Sequence, residues 1–253
     1  MAGSGASRLG LTAGTWQDFG VTRTRTTIIS SGAPHAPREW TVDEVTSLAP
    51  LPRKFFAPSA AVVARRLLGH YLVRQIPGGF AGGTIVEAEA YLAHDPACHG
   101  FKRETPRNRS MYGPPGRAYV YFIYGNHHCF NAVCGELGVP EAVLIRAIDP
   151  AFGLEWMRTR RIGIEPPHLT NGPGKLCAAL AIGRELDGVD LCQPDAAVFL
   201  AANPHLTRTR HSLGPVSITP RIGISLAAEL PLRFLLAGSD SISRGARARK
   251  EGH

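Results

Sequence analysis

The run Ile85-Val86-Glu87-Ala88-Glu89-Ala90-Tyr91 sets two carboxylates and a phenol at alternate positions. Successive side chains of a strand point to opposite faces, so Glu87, Glu89 and Tyr91 share one face and Val86, Ala88 and Ala90 the other. Neighbours on the polar face then stand roughly 6–7 Å apart. Two readings are open: the solvated outer face of an edge strand, which these residues by themselves favour, or a general base beside an aromatic wall. Downstream, Tyr119, Tyr121 and Ile123 share one face of a second strand-like run, and Val120, Phe122 and Tyr124 the other. β-Propensity alone also produces tyrosine-rich strands. Tyr124 differs because it precedes Gly125-Asn126, a pair suited to the positive-φ positions of a hairpin turn, and so stands at an exposed tip. A large aromatic presented there suits insertion between bases or into a partner.

Between these two runs lies an irregular segment from His94 to Gly116. From Phe101 through Arg117 the chain carries five basic residues (Lys102, Arg103, Arg107, Arg109, Arg117) against Glu104 alone. Loops of this length without periodicity are usually functional or disordered. Arg103, Arg107 and Arg109 are candidates to hold a nucleic-acid backbone. Asn171-Gly172-Pro173-Gly174-Lys175 resembles a phosphate loop only superficially, because Leu169 and Leu176 replace the required glycine and hydroxyl residue. It reads as a helix start whose amides, with Lys175, suit a DNA phosphate. The chain has no GxGxxG, HExxH or GxSxG, and no HxE paired with PCxxC. Dinucleotide, zincin, hydrolase-elbow and zinc-deaminase chemistry therefore fall away.

Periodicity and turn residues give the secondary structure on which these side chains are mounted. A helix starts at Pro58-Ser59, runs through Ala61, Val62, Ala64, Leu67 and Leu68, and stops at Gly69. Strands are predicted at 70–76 and 84–91 around a Gly78-Gly79 turn, then a hairpin of 117–124 and 127–134, then a strand over 141–148. Helices are predicted over 152–161 and 174–182, and strands near 196–201, 216–219 and 232–236. Hairpins dominate and strand–helix alternation is poor. One α+β domain is expected, with a mostly antiparallel curved β-sheet, surrounding helices and a protruding β-hairpin.

The chain has 253 residues, 44% hydrophobic and 19% charged, which fits one large or two small domains. Its longest apolar stretches, such as the one around Leu232 to Ala237, fall far short of the ~20 residues that cross a bilayer, so no membrane span is expected. Cys98, Cys129, Cys134, Cys177 and Cys192 contain no CxxC pair and suggest neither a disulfide framework nor a zinc site, but reduced thiols in an intracellular compartment. Lys plus Arg outnumber Asp plus Glu by 28 to 20. Residues 1–50 are neutral, so the whole excess lies in 51–253. That excess fits a polyanionic partner as readily as a general arginine bias. Residues 1–50, rich in Ser, Thr, Gly and Ala, are expected to form a disordered extension, 51–243 the folded domain, and 244–253 a basic flexible tail. A transit peptide is the lesser reading of the extension, since Asp18 interrupts its arginines.

A basic loop, a carboxylate strand, several aromatics and an exposed hairpin tip are together the parts a base-flipping enzyme needs. The sequence resembles the alkyladenine, or 3-methyladenine, DNA glycosylases of the mammalian type. The resemblance is carried by Ile85 to Tyr91, Thr105-Pro106-Arg107-Asn108-Arg109, Tyr119 to Gly125, Cys129, Asn131, Leu144-Ile145-Arg146-Ala147, and Gly172 to Cys177. Motifs recur in order from about Leu51 to about Leu236. The resemblance implies a monofunctional DNA N-glycosylase, a hydrolase that removes 3-methyladenine- and 7-methylguanine-type purines from duplex DNA and initiates base excision repair. Hypoxanthine and etheno purines are further candidates. It implies that Glu89 is the general base and that Arg146 orients it. Tyr91, His99 and Tyr121 would stack on the extruded base, with His94 the alternative to His99. Asn131 would crowd a guanine amino group, and Tyr124 would fill the gap left in the duplex. It gives Glu87 no role. No cofactor or metal is expected, and the protein is expected to act as a monomer, inside the cell at chromosomal DNA, which in a bacterium means the cytoplasm or nucleoid. Asn126, His127 and His128 depart from the more aromatic or apolar family pattern, and the loop from Tyr91 to His99 is about one residue shorter. Two other readings remain: a nucleoside or sugar glycosidase using Glu87 and Glu89, and a noncatalytic nucleic-acid-binding module.

Overall fold

Residues 40–123, 125 and 127–243 are described in a computed structural model of the chain. The folded chain reaches further back than Leu51. Thr41 and Glu44 cap each other's backbone at the start of α1 (Val42–Thr46). Trp40 packs edge-on against Tyr71 and Phe152. The extension expected over 1–50 is corrected for 40–50, because Trp40, Val45 and Leu48 have apolar partners to cover. Residues 1–39 and the expected tail at 244–253 lie outside the described residues.

After α2 (Arg53–Phe56), the helix α3 (Ala60–Leu67) turns Ala60, Val63, Ala64 and Leu67 inward, at the spacing of one helical face. Gly69, at φ +87, releases the chain into β1 (Tyr71–Ile76) and the long β2 (Gly79–Tyr91). The hairpin β3 (Ala118–Ile123) and β4 (His127–Cys134) follows, and then β5 (Glu141–Phe152). Helices α4 (Leu154–Arg160) and α5 (Pro173–Ala179) lead to β6 (Val198–Ala201). Next come α6 (Leu206–Ser212), β7 (Val216–Thr219) and β8 (Arg233–Leu236).

The eight strands form one curved antiparallel sheet in the order β3-β4-β5-β2-β1-β6, with β8 joining β2 and β7 joining β8. The fold is therefore α+β, as the hairpin-rich sequence suggests. β2 is central. β5 runs along one edge, while β1 and then β8 share the other. Gly83 lets β5 approach closely, since a Cβ there would sit 1.9 Å from the Asp149 carbonyl oxygen. The main core lies against one side of the sheet, where Val86, Ala88, Val120, Phe130 and Ile145 meet α3 and α5. A second cluster, including Tyr119, Tyr121, Cys129 and Leu144 with Tyr91 packed against it, forms on the other side.

Candidate active site

The polar face of β2 is not the solvated face of an edge strand. Glu87 and Glu89 expose no surface, because β5 and β8 flank them and later segments cover them. The register slips at this point: Ile85 opposes Ile148, Glu87 opposes Ala147, and Ala88 opposes Ile145. Val86 on β2 and Arg146 on β5 are thus each one extra residue, an irregularity of the kind that re-aims side chains. Arg146 reaches both carboxylates, with Nε donating to Glu87 Oε1 at 2.8 Å and Nη1 to Glu89 Oε2 at 3.1 Å. Burial by itself would lower the Arg146 pKa, but the charges of Glu89 and then Glu87 outweigh it and raise it, so the guanidinium stays ionised.

Glu89 has three donors. The Tyr91 hydroxyl (3.0 Å) and Arg146 reach Oε2, and the Ile222 amide reaches Oε1 at 2.8 Å. A carboxylate oxygen accepts about two hydrogen bonds, so Oε1 retains capacity for one more donor. Burial, then the charge of Glu89, pushes the Tyr91 phenol far up, leaving it a donor at any physiological pH. Beneath the Tyr91 ring, the Arg221 guanidinium lies 4.7 Å from the centroid. Arg221 is paired with Asp95 in a wholly buried fork.

In front of these groups opens a cavity of about 550 Å³, lined among others by Tyr91, His99, Tyr121, Arg146, Gly174 and the segment Ile222 to Leu226. Its walls are ring-rich. His99 and Tyr121 meet edge to face at 4.4 Å, and Tyr121 and Tyr119 lie 5.3 Å apart. His99 keeps an exposed edge. Its Nδ1 pairs with the Tyr119 hydroxyl at 2.9 Å. Burial of the packed side of the ring, then the Arg107 charge, lowers its pKa, which favours a neutral imidazole. Burial pushes the thiol of Cys98 up to about 11 and raises that of Cys129 as well, which favours the protonated form of both.

Residues 54–240 match the family described as Methylpurine-DNA glycosylase. A protein of Carboxydothermus hydrogenoformans is 43% identical over 194 residues, covering 77% of this chain and 98% of its own length. One from Methanoculleus marisnigri is 47% identical over 196 residues, with coverages of 77% and 98%. Another, from Francisella tularensis, is 41% identical over 183 residues, with coverages of 72% and 92%. All three bear the provisional name 3-methyladenine DNA glycosylase. The chain belongs to the methylpurine-DNA glycosylase family.

Tyr91, His99, Tyr121 and Arg146 meet on one cavity, and Glu89 is hydrogen-bonded to Tyr91 and Arg146 behind it. His94 is exposed and does not line that cavity. Asn131 lies deeper. It lines a small adjoining cavity of about 20 Å³ with Tyr91, His99 and Tyr121, and its Nδ2 donates to the Tyr119 carbonyl at 3.0 Å. Arg103 and Arg107 line a separate cavity of about 340 Å³ behind His99. Arg109 instead pairs with Glu104 at the surface, and Lys175 donates to Asn171 Oδ1 at 2.8 Å. Tyr124 and Asn126 lie outside the described residues.

No local pattern marks Ile222, Arg221, Asp95, Arg233 or Ser243 as members of the site, since each comes from a loop or strand remote in the chain from its partner. Asn108 had a signal, as it sits inside the Thr105–Arg109 segment. It organises the basic loop by accepting from the Thr105 amide (2.6 Å) and donating to the carbonyls of His99 and Arg103.

Proposed function

We propose that this protein is a monofunctional DNA N-glycosylase that hydrolyses the bond between deoxyribose and an alkylated purine in duplex DNA. The reading is carried by one observation: an ionic Glu89–Arg146 pair closes the back of a ring-walled cavity whose volume, about 550 Å³, lies in the range of small-molecule sites. Alkylation at N3 or N7 makes a purine cationic and a good leaving group, so the protein has only to activate water and stabilise positive charge developing on the sugar. Glu89 can serve both needs. The remaining acceptor capacity of Oε1 suits a water molecule, while Arg146 and the Tyr91 hydroxyl hold the carboxylate in place. Glu89 exposes no surface, so admitting that water requires the Ile222 segment, which caps Oε1 and lines the cavity, to give way as a base enters.

Tyr91, Tyr121 and His99 would stack on the extruded base, with stacking worth ~1–3 kcal/mol and cation–π attraction ~0.5–2 kcal/mol. Together these offset an extrusion cost of a few kcal/mol. 3-Methyladenine and 7-methylguanine fit this electrostatic scheme best. Hypoxanthine and etheno purines lack the charge, and their removal would depend on hydrogen bonds near His99. Tyr124 would fill the gap in the duplex, and Arg103, Arg107, Arg109 and Lys175 would meet its backbone, with Arg109 first leaving Glu104. A free-sugar glycosidase using Glu87 as its second carboxylate is disfavoured, since Glu87 is engaged by Arg146, Arg233 and Ser243, of which only Arg146 lines the cavity, whereas all three partners of Glu89 line it. The protein would act as a monomer on chromosomal DNA.

The test is release of free base from duplexes carrying N3- or N7-methylpurines. Glu89→Gln is expected to cut single-turnover excision by about 10²–10⁴-fold while retaining affinity for lesion DNA. Ordinary turnover by that variant would overturn the assignment.

A further inference from the structure

Glu87 lies outside the cavity and the reaction above does not use it, yet it is held from four directions. Its Oε1 accepts from Arg146 Nε (2.8 Å), Arg233 Nε (2.7 Å) and the Ser243 hydroxyl (2.7 Å), and its Oε2 accepts from the Ser243 amide (2.6 Å). Ser243 comes from far along the chain and closes the arrangement. Its hydroxyl oxygen accepts from Arg146 Nη2 at 3.1 Å, and its carbonyl accepts from Arg233 Nη2 at 3.1 Å. The charges therefore alternate along a buried row: Glu89, Arg146, Glu87, Arg233.

The consequence for Arg146 is geometric. A guanidinium is a rigid planar fork, and its orientation is fixed only when donors on different sides find acceptors. With Glu89 alone, Arg146 would be held through Nη1 and free to pivot about that bond. Glu87 fixes Nε, and Ser243 fixes Nη2. Glu87 also separates two like charges, since without its carboxylate Arg146 and Arg233 would face each other in a low-dielectric interior.

We propose that Glu87 and Ser243 are positioning residues, which set the plane and reach of Arg146 and through it the orientation of the Glu89 carboxylate. This rests on the glycosylase reading for its rate effects, but the geometry of Arg146 can be read without them. Neither residue touches the base. Their removal should slow the chemical step and leave capture of the duplex alone.

The gentler variant is Ser243→Ala, which deletes one hydroxyl and keeps the hydrogen bond that the backbone N–H of residue 243 donates to Glu87. Losing a hydrogen bond to a charged group is expected to slow single-turnover release of 7-methylguanine by about tenfold, and Glu87→Gln by up to about a hundredfold. Affinity for a duplex containing an abasic-site analogue should be unchanged in both. In an Arg146→Met background neither substitution should slow the reaction further, because their effect passes through Arg146. Nitrogen-15 spectra give an independent readout: the Arg146 guanidinium signal should be slow to exchange in the unaltered protein and lose that protection at Nη2 in Ser243→Ala and at Nε in Glu87→Gln. The inference is overturned if the folded variants excise at the unaltered rate, if they slow the Arg146→Met enzyme by the same factor, or if the signal stays protected. If the unaltered protein releases no base from any duplex, the glycosylase reading fails instead. The nitrogen signal then still decides whether Ser243 and Glu87 hold Arg146.

Discussion

Phe130 and Tyr121 come from adjacent strands of one hairpin and face opposite sides of the sheet. Phe130 exposes nothing and belongs to a core filled by aliphatic and aromatic side chains. Tyr121 is also nearly buried, but it belongs to the smaller cluster of rings, thiols and a methionine beside the 550 Å³ cavity. One side of the sheet is packed to exclude everything. The other carries smaller apolar clusters and, between them, paired charges and open space. Dense packing and chemistry thus fall on opposite faces of β2, which can bury carboxylates on one side because alanine and valine pack densely on the other.

The sharpest way to break this contrast is to move a charge across β2. Ala88→Asp sets an unpaired carboxylate in the core and is expected to cost more than about 4 kcal/mol, seen as loss of the cooperative thermal transition. A variant melting at the unaltered temperature would mean the two faces are not distinct. Next comes truncation on either side. Phe130→Ala should cost about 3–5 kcal/mol in denaturant unfolding. Tyr121→Ala, which enlarges a space already present, should stay within about 2 kcal/mol but weaken binding to lesion duplexes. Equal losses in stability would erase the distinction.

The narrowest effect concerns pH, since it is confined to acid conditions. His70, on the edge of the core, accepts from the Asn203 amide through Nδ1 at 3.1 Å. Burial, then the Arg210 charge, lowers its pKa to about 4. The unfolded chain takes up this proton near pH 6.5, the folded chain only near 4. His70 thus favours folding fully above pH 6.5, and as the pH falls to 4 roughly 3 kcal/mol is lost. His70→Asn, which keeps an acceptor and cannot titrate, should flatten the stability profile in that window. An unchanged slope would remove His70 from the account.

Much of this was legible from local pattern. The β3–β4 hairpin was marked by a Gly-Asn turn and tyrosines at alternate positions, and the strand and helix order follows from turn residues and periodicity. Alternation along β2 assigned each side chain to its face but carried no information on what would cover the second face. That cover comes from β8, Ile222 and Ser243, more than a hundred residues away. The helix α1 had a readable signal, since Thr41 and Glu44 have capping-box spacing. It was masked by the polar composition of the chain before it. α6 buries none of its residues and has no side-chain cap, so periodicity had nothing to report.

Arg107 donates through Nη2 to the Phe122 carbonyl at 2.8 Å, joining the basic loop to the protruding hairpin. Arg184 fastens the same strand, with Nη1 on the Val120 carbonyl at 2.7 Å. Under the glycosylase reading, an arginine that grips a phosphate with its spare donors also steers the hairpin to which it is tied. Holding the backbone and holding the hairpin strand are then two tasks of one guanidinium.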